Sequence, residues 1–226
     1  MLLSLPGVLL EDELTSIRAL LKKAQWVDGR TTAGIQAAAV KNNQQLAEQD
    51  PLLDQIRRIV LQALHRDPLF FSAALPDKIL PPFVNRYAGE TNHYGFHVDS
   101  AMRSMPDGSA RVRADVSATL FFNDPEEYEG GELVIQDVFG DQRIKLKAGS
   151  IVIYPSSSVH AVTPVTRGER LASFMFIQSM VRDAAHRRML FDMDMALVRL
   201  RQQHGETAEV VQLTGIYHNL LREWAL

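Results

Sequence analysis

Between Phe83 and Gln178 the sequence is a succession of short segments that alternate side by side, each broken by Gly, Pro, Asn or Asp. FVNRY from Phe83, YGFHVD from Tyr94, DVSATLFF from Asp115, ELVI from Glu132, IVIYP from Ile151 and RLASFMFI from Arg170 read as strands, because a period of two puts alternate residues on one face. The breaks at Asn123-Asp124-Pro125, Gly130-Gly131 and Ala148-Gly149 are turn chemistry. Many short strands of this kind predict a double-stranded β-helix, the jelly-roll arrangement of two facing sheets. The fold class is therefore mainly β with α elements, flanked by N-terminal helices and a C-terminal helical hairpin. Three regions are expected: residues 1–77 as a supporting region, 78–179 as the jelly-roll core and 180–226 as a helical module.

The flanks change period. Leu14, Ile17, Leu21 and Ala24 recur at helical spacing, with Asp12 as the expected cap. Asp50-Pro51 opens a second helix with a stripe of Leu52, Ile56, Ile59, Val60, Ala63 and Leu64. The polar run from Asp28 to Gln49 is expected to be a loop and a short strand, and Pro68 to Pro82 a connector. After Ser179 one stripe carries Ala184, Arg188, Phe191, Met195 and Val198, widened by Leu190, Leu197 and Leu200. His204-Gly205 ends that helix, and a last one runs through Val210, Leu213, Ile216, Tyr217 and Trp224.

Composition limits the setting. The chain has 226 residues, a formal net charge of −3 with both signs interspersed, and no cysteine. It has no basic stripe for nucleic acid, no disulfide or thiolate metal site, and no convincing signal peptide or membrane span at MLLSLPGVLLEDEL. A cytoplasmic enzyme without nucleic-acid or membrane partners is the expectation.

The candidate chemistry lies in the strands. His97 and Asp99 are two residues apart in an alternating segment, so on a regular strand they share a face, with Tyr94, Phe96 and Val98 on the other. His-x-Asp alone is a weak signal. Of the remaining histidines only His160 follows a dense apolar strand, in the Ser-rich turn after IVIYP, where the alternative is a surface turn histidine. Two imidazoles and one carboxylate form the facial set that leaves octahedral Fe(II) with open positions. Arg170 then shares a face with Ala172, Phe174 and Phe176. A guanidinium among phenylalanines requires a planar anion, either a ligand carboxylate or an internal partner such as Asp115 or Glu132.

Taken together, NRY at Asn85 to Tyr87, HxD at His97 to Asp99, the run from Asp115 to Ile135, the run AGSIVIYPSSSVHAVTPVTRGER to Arg170 and the helical tail resemble the iron(II)- and 2-oxoglutarate-dependent dioxygenases. The likeness is greatest to the bacterial PKHD-type hydroxylases of the prolyl 4-hydroxylase-like branch, and it spans nearly the whole chain. The resemblance implies that His97, Asp99 and His160 bind one Fe(II) per chain and that Arg170 holds the distal carboxylate of 2-oxoglutarate. It also implies that Tyr87 assists Arg170, although a plain core tyrosine is the alternative there. O2 is the oxidant and L-ascorbate the accessory reductant. Oxidative decarboxylation of 2-oxoglutarate is coupled to hydroxylation of a small-molecule or peptide substrate. The family's association with iron uptake points to iron or siderophore metabolism.

Other expectations remain open at this level. The segment Ser100 to Arg111, with Met102, Arg103 and Met105, is either a substrate loop over the metal or an ordinary solvent loop. A cupin-like metal isomerase or lyase could use the same ligands without oxoglutarate, and an iron-sensing or scaffold protein could bind a partner or a second copy through the tail.

Overall fold

The computed structural model describes residues 1–226. Its spine is the strand Glu169–Ser179, which is longer than any other. The alternation read from the sequence holds along it. Leu171, Met175 and Ile177 enter the largest apolar cluster, while Arg170, Phe174 and Phe176 line a cavity on the opposite side.

This strand sits inside an antiparallel sheet of eight. Leu3–Leu5, Ile151–Pro155, Val116–Phe121, Glu169–Ser179, Phe83–Ala88, Gln44–Leu46 and Trp26–Asp28 follow in spatial order, and Pro76–Ile79 also pairs with the spine. A second antiparallel sheet faces it, ordered Gln142–Ile144, Leu133–Ile135, His160–Val162, His93–His97 and Lys41–Asn42. Tyr87, Phe121, Val152 and Tyr154 of the first sheet pack with Leu133, Ile135 and Val162 of the second, which makes the two-layer jelly-roll core.

The outer face of the large sheet is closed by helices. Val116, Ala118, Leu120 and Phe122 pack with Ile17 of the helix Glu11–Leu21, with Leu53, Ile56 and Val60 of Pro51–Arg66, and with Phe70 of Pro68–Ala74. Each such fully buried aliphatic side chain contributes about 1.5–3 kcal/mol relative to exposure. The helix Pro51–Arg66 starts where expected, with the Asp50 carboxylate accepting from the Leu52 N–H at 2.9 Å. Arg57 ties it to the sheet, donating to Glu48 at 2.8 and 2.9 Å and to the Pro82 carbonyl at 2.9 Å.

Several local expectations are corrected. Leu10, not Asp12, precedes the first helix, and Glu13 reaches back to accept from the Leu10 N–H at 2.9 Å. The region 28–49 contains a short helix, Ile35–Val40, besides its strands. Pro68–Ala74 is helical: Pro68 occupies the first turn, where its missing N–H costs nothing, and Asp67 caps Phe70. Ser100 to Arg111 is not irregular, because Met102–Ser104 pairs with Arg111–Arg113 as a hairpin.

At the C-terminus, Ala184–His204 and Ala208–Trp224 form the helical pair. The buried stripe of the first is Arg187, Leu190, Phe191 and Leu197, rotated from the expected one, and Ala184, Arg188 and Val198 are exposed. Leu190, Leu197, Val210 and Tyr217 close over Leu75 and Val181, while Phe191 and Met195 reach the main core. The chain end is stitched back, the Leu226 N–H donating to the Met180 carbonyl at 3.0 Å. Deletion after Arg182 therefore uncovers Leu75 and Val181, and we expect insoluble protein or a melting temperature lowered by several degrees. A soluble truncated chain that melts with the full-length protein would contradict this packing role.

Candidate active site

Two antiparallel strands bring the predicted ligands together. His97 lies directly across from His160, and the ligand atoms of His97, Asp99 and His160 are all within 4.8 Å of one another. His160 Nε2 is 3.7 Å from Asp99 Oδ2. His160 is buried, not a surface turn residue.

The ligand strand is not regular. Tyr94 pairs with Val162 and His97 with His160, so three steps on one strand meet two on the other and a β-bulge lies between. The bulge moves Tyr94 from the expected opposite face to the ligand side, where its ring stacks on His97 at 3.6 Å between centroids. Phe96 and Val98 are exposed, Val98 while also lining the cavity. Gly95 fits the bulge because a Cβ there would come 2.9 Å from that of Val40.

Each imidazole is oriented from behind. His97 Nδ1 contacts the Gly95 carbonyl at 2.9 Å and His160 Nδ1 the Ser158 carbonyl at 3.0 Å. A carbonyl can only accept, so each Nδ1 carries the proton and each Nε2 is left as a lone-pair donor for a metal. Burial, then the neighbouring His160, pulls the His97 pKa down to about 4, which keeps its ring neutral as ligation requires. The Ser117 hydroxyl donates to Asp99 Oδ2 at 2.6 Å and holds the carboxylate.

The triad opens into a cavity of about 690 Å³, mouth included, between the two sheets. Arg170 lies at its floor, 1% exposed, with the guanidinium carbon 5.2 Å from the Tyr87 ring centroid and 5.0 Å from that of Phe121. Both internal partners foreseen for it are taken elsewhere. Asp115 accepts from Arg113 at 2.7 and 2.9 Å, and Glu132 from Arg143 at 2.7 Å. Arg170 Nε and Nη1 are buried without any hydrogen-bond partner, as are Asn85 Oδ1, Gln45 Nε2, the Asn43 amide and the Tyr128 hydroxyl. Native proteins rarely leave such groups orphaned, and a charged one costs several kcal/mol. The cluster fits a polar, anionic guest.

Glycine makes room for the arginine. Gly131 has φ +66°, and a Cβ there would meet Val165 at 2.8 Å, Tyr128 at 2.9 Å and Arg170 Cδ at 3.1 Å. Tyr87 lines the cavity too, and the Asn85 amide donates to its hydroxyl at 3.5 Å. Of the hairpin residues, Arg103 reaches the cavity, whereas Met102 is exposed and Met105 packs with Leu80 and Val112. Asn43, Gln45 and Lys41 were absorbed into a polar run in the sequence. The two-residue spacing of Lys41, Asn43 and Gln45 was the signal that could have placed them on one face.

Comparison with known proteins gives the family. Residues 82–178 match the 2OG-Fe(II) oxygenase superfamily, and residues 184–225 match the PKHD-type hydroxylase C-terminal domain. A PKHD-type hydroxylase of Nitrosomonas europaea is 66% identical over 225 residues, covering 100% of this chain and 99% of the relative. One from Azoarcus sp. is 61% identical over 226 residues, again covering 100% and 99%. The chain belongs to the PKHD-type hydroxylases.

In solved structures, the fold of this PKHD-type hydroxylase is similar to a Pseudomonas putida prolyl-4-hydroxylase, with a TM-score of 0.54 at 19% identity over 79% of this chain and 92% of that one. It is also similar to a non-heme alpha ketoglutarate dependent carbocyclase from nogalamycin biosynthesis, with a TM-score of 0.56 at 15% identity and 79% of each chain covered. The protein is thus an Fe(II)- and 2-oxoglutarate-dependent dioxygenase, with Fe(II), 2-oxoglutarate and O2 as its cofactor set. The isomerase or lyase and the non-enzymatic sensor are set aside. No helix is long and apolar enough to cross a membrane.

The donor set suits the metal: two neutral imidazoles and one carboxylate carry a single negative charge and leave coordination positions free. Asp99→Ala removes the only anionic ligand and no core volume, so Fe(II) affinity should collapse while the melting temperature stays within a few degrees. Ser117→Ala, which frees the carboxylate and also breaks the 2.7 Å contact to the Ser156 hydroxyl, should weaken Fe(II) by about ten- to hundredfold. Anaerobic Fe(II) titration measures both, and unchanged affinity in Asp99→Ala would exclude this centre.

Proposed function

We propose that His97, Asp99 and His160 hold the iron, that Arg170 receives the distal carboxylate of 2-oxoglutarate, and that the enzyme hydroxylates a small-molecule or peptide substrate linked to iron or siderophore metabolism. The observation that carries the assignment of Arg170 is its isolation, a buried guanidinium whose only candidate internal partners are engaged elsewhere. When bound, the metal with 2-oxoglutarate and O2 supplies the oxidising equivalent that inserts one oxygen into substrate, releasing succinate and CO2.

The chain's residues do the rest. Arg170 offers a planar fork matched to a carboxylate, and Tyr87 and Phe121 form the walls that keep it dehydrated. Tyr87 assists by its hydroxyl, steered by Asn85. Burial raises the Tyr87 pKa, with Arg170 opposing, so the hydroxyl stays protonated and can donate to an oxygen acceptor. Asn43, Gln45 and Asn85 bring further unpaired polar groups to the same wall. Tyr94 and Tyr154 pack against the two imidazoles and fix their planes. Ascorbate serves as the accessory reductant, and the exposed Leu213 and Ile216 on one side of the last helix offer a surface for self-association.

Replacing Arg170 by alanine deletes a charge-assisted, bidentate contact, worth about 2–5 kcal/mol for a buried pair. The 2-oxoglutarate dissociation constant should rise by about thirtyfold to several thousandfold. Iron affinity should hardly change, and Arg170→Lys should rescue only partly, since an ammonium lacks the fork. Calorimetric titration of 2-oxoglutarate into the metal-loaded proteins reads this directly. Equal dissociation constants in wild type and Arg170→Ala would refute the assigned role.

A further inference from the structure

Two more cations face the cavity, and neither forms a salt bridge, Asp99 acting on both only from a distance. Lys41 is 6% exposed, and its Nζ finds a hydrogen bond only at the Thr32 hydroxyl, 3.1 Å away. Arg103 Nη2 donates to the carbonyl of the same residue at 3.1 Å. Both rest on aromatic rings, of the spine strand and, for Lys41, also of the ligand strand in the facing sheet. Lys41 Nζ stands 5.2 Å from the Tyr94 ring centroid and 5.6 Å from that of Phe174, and the Arg103 guanidinium carbon lies 4.3 Å from that of Phe176. Phe174 and Phe176 are four and six residues beyond Arg170 on the same face, or about 13 and 20 Å along the strand. The two cations therefore sit away from the floor.

The charges in the cavity can be matched one by one. Asp99 is the only carboxylate among the residues that line it. With 2-oxoglutarate bound, its distal carboxylate answers Arg170, and its other carboxylate together with Asp99 answers the metal. Lys41 and Arg103 remain unanswered. Burial first, and Arg103 second, push the Lys41 pKa down to about 7, the mark of an ammonium held in a dry place beside a like charge. An anion set between the two would relieve both penalties, whereas a neutral guest would leave them.

We infer that Lys41 and Arg103, presented on the Tyr94, Phe174 and Phe176 rings, form the recognition site for an anionic group, a carboxylate or its equivalent, on the substrate to be hydroxylated. This rests on the placement of 2-oxoglutarate at Arg170 and deepens it by naming the substrate's charge class. The aromatic rings supply flat apolar contact for the carbon frame that carries the anion. Cations with no salt-bridge partner also disfavour a cationic substrate, so the pair selects against as well as for.

The test needs no knowledge of the natural substrate. Protein loaded with Zn(II), a redox-inert occupant of a His and carboxylate site, is saturated with 2-oxoglutarate so that Arg170 is covered. It is then screened by ligand-observed NMR against size-matched anionic, neutral and cationic fragments. We expect the binders to be predominantly anionic, to weaken about tenfold or more in Lys41→Met and in Arg103→Met, and to persist within a few-fold in Lys41→Arg. Lys41→Met keeps most of the stem and removes the ammonium with its bond to Thr32, and the 2-oxoglutarate signal in the same samples reports whether each variant is folded. Binding of neutral or cationic fragments as often as anions, no binding at all, or anion affinity unchanged in both Met variants would overturn the inference. If 2-oxoglutarate itself fails to bind the wild type, the placement at Arg170 falls and this inference with it; if it binds and anions are not preferred, only the inference falls.

Discussion

A single buried charge organises this enzyme. The Arg170 guanidinium lies at the floor of the space between two sheets, 1% exposed, and no acidic side chain of the chain meets it. Such a charge is costly unless something completes it, and proteins ordinarily pair it or leave it out. Here the neighbours have been arranged so that it stays unpaired. Asp115 is locked to Arg113 and to the Ser179 N–H, Glu132 to Arg143, and Gly131 lets the chain pass where a side chain would crowd Val165, Tyr128 and the arginine stem. Local stability is given up at this position, an exchange common at functional sites, and on our proposal what it gains is a carboxylate receptor.

The metal centre depends on the same two-layer architecture from the other side. Placing His97 opposite His160 needs only antiparallel pairing, but bringing a tyrosine onto the His97 ring needs the bulge at Gly95 and Phe96. The backbone carbonyls of Gly95 and Ser158 then fix the ring nitrogens, and Ser117 fixes the carboxylate. Every ligand is thus aimed by a group on a strand or at a strand end, which gives the centre its rigidity.

Much of this was legible because period-two patterning survives folding. RLASFMFI and DVSATLFF sort their residues into outer core and inner cavity as their alternation requires, and Arg170 among phenylalanines announced an unusual charge before any fold was known. What escaped is what alternation cannot encode. One extra residue in the ligand strand reverses the side on which Tyr94 lies, and nothing in YGFH marks it except the glycine. The helix Pro68–Ala74 is too short to show a period and is held by its Asp67 cap and by Ser72 bonding Asp194 of the tail, a contact across most of the chain. Lys41 and Thr32 looked like solvated polar residues because their burial comes from Tyr94, Phe174 and Arg103, all remote in sequence.

On our proposal, iron held by the triad and the carboxylate receptor at Arg170 form one site, spanned by one molecule of 2-oxoglutarate. Anaerobic addition of Fe(II) and 2-oxoglutarate to the purified protein tests this most directly, through the weak visible charge-transfer absorption of a keto acid chelated to ferrous iron. The band should appear only when both are present, saturate at one equivalent of iron per chain, and be lost in Asp99→Ala. Absence of the band in wild type with both components in excess would contradict the account.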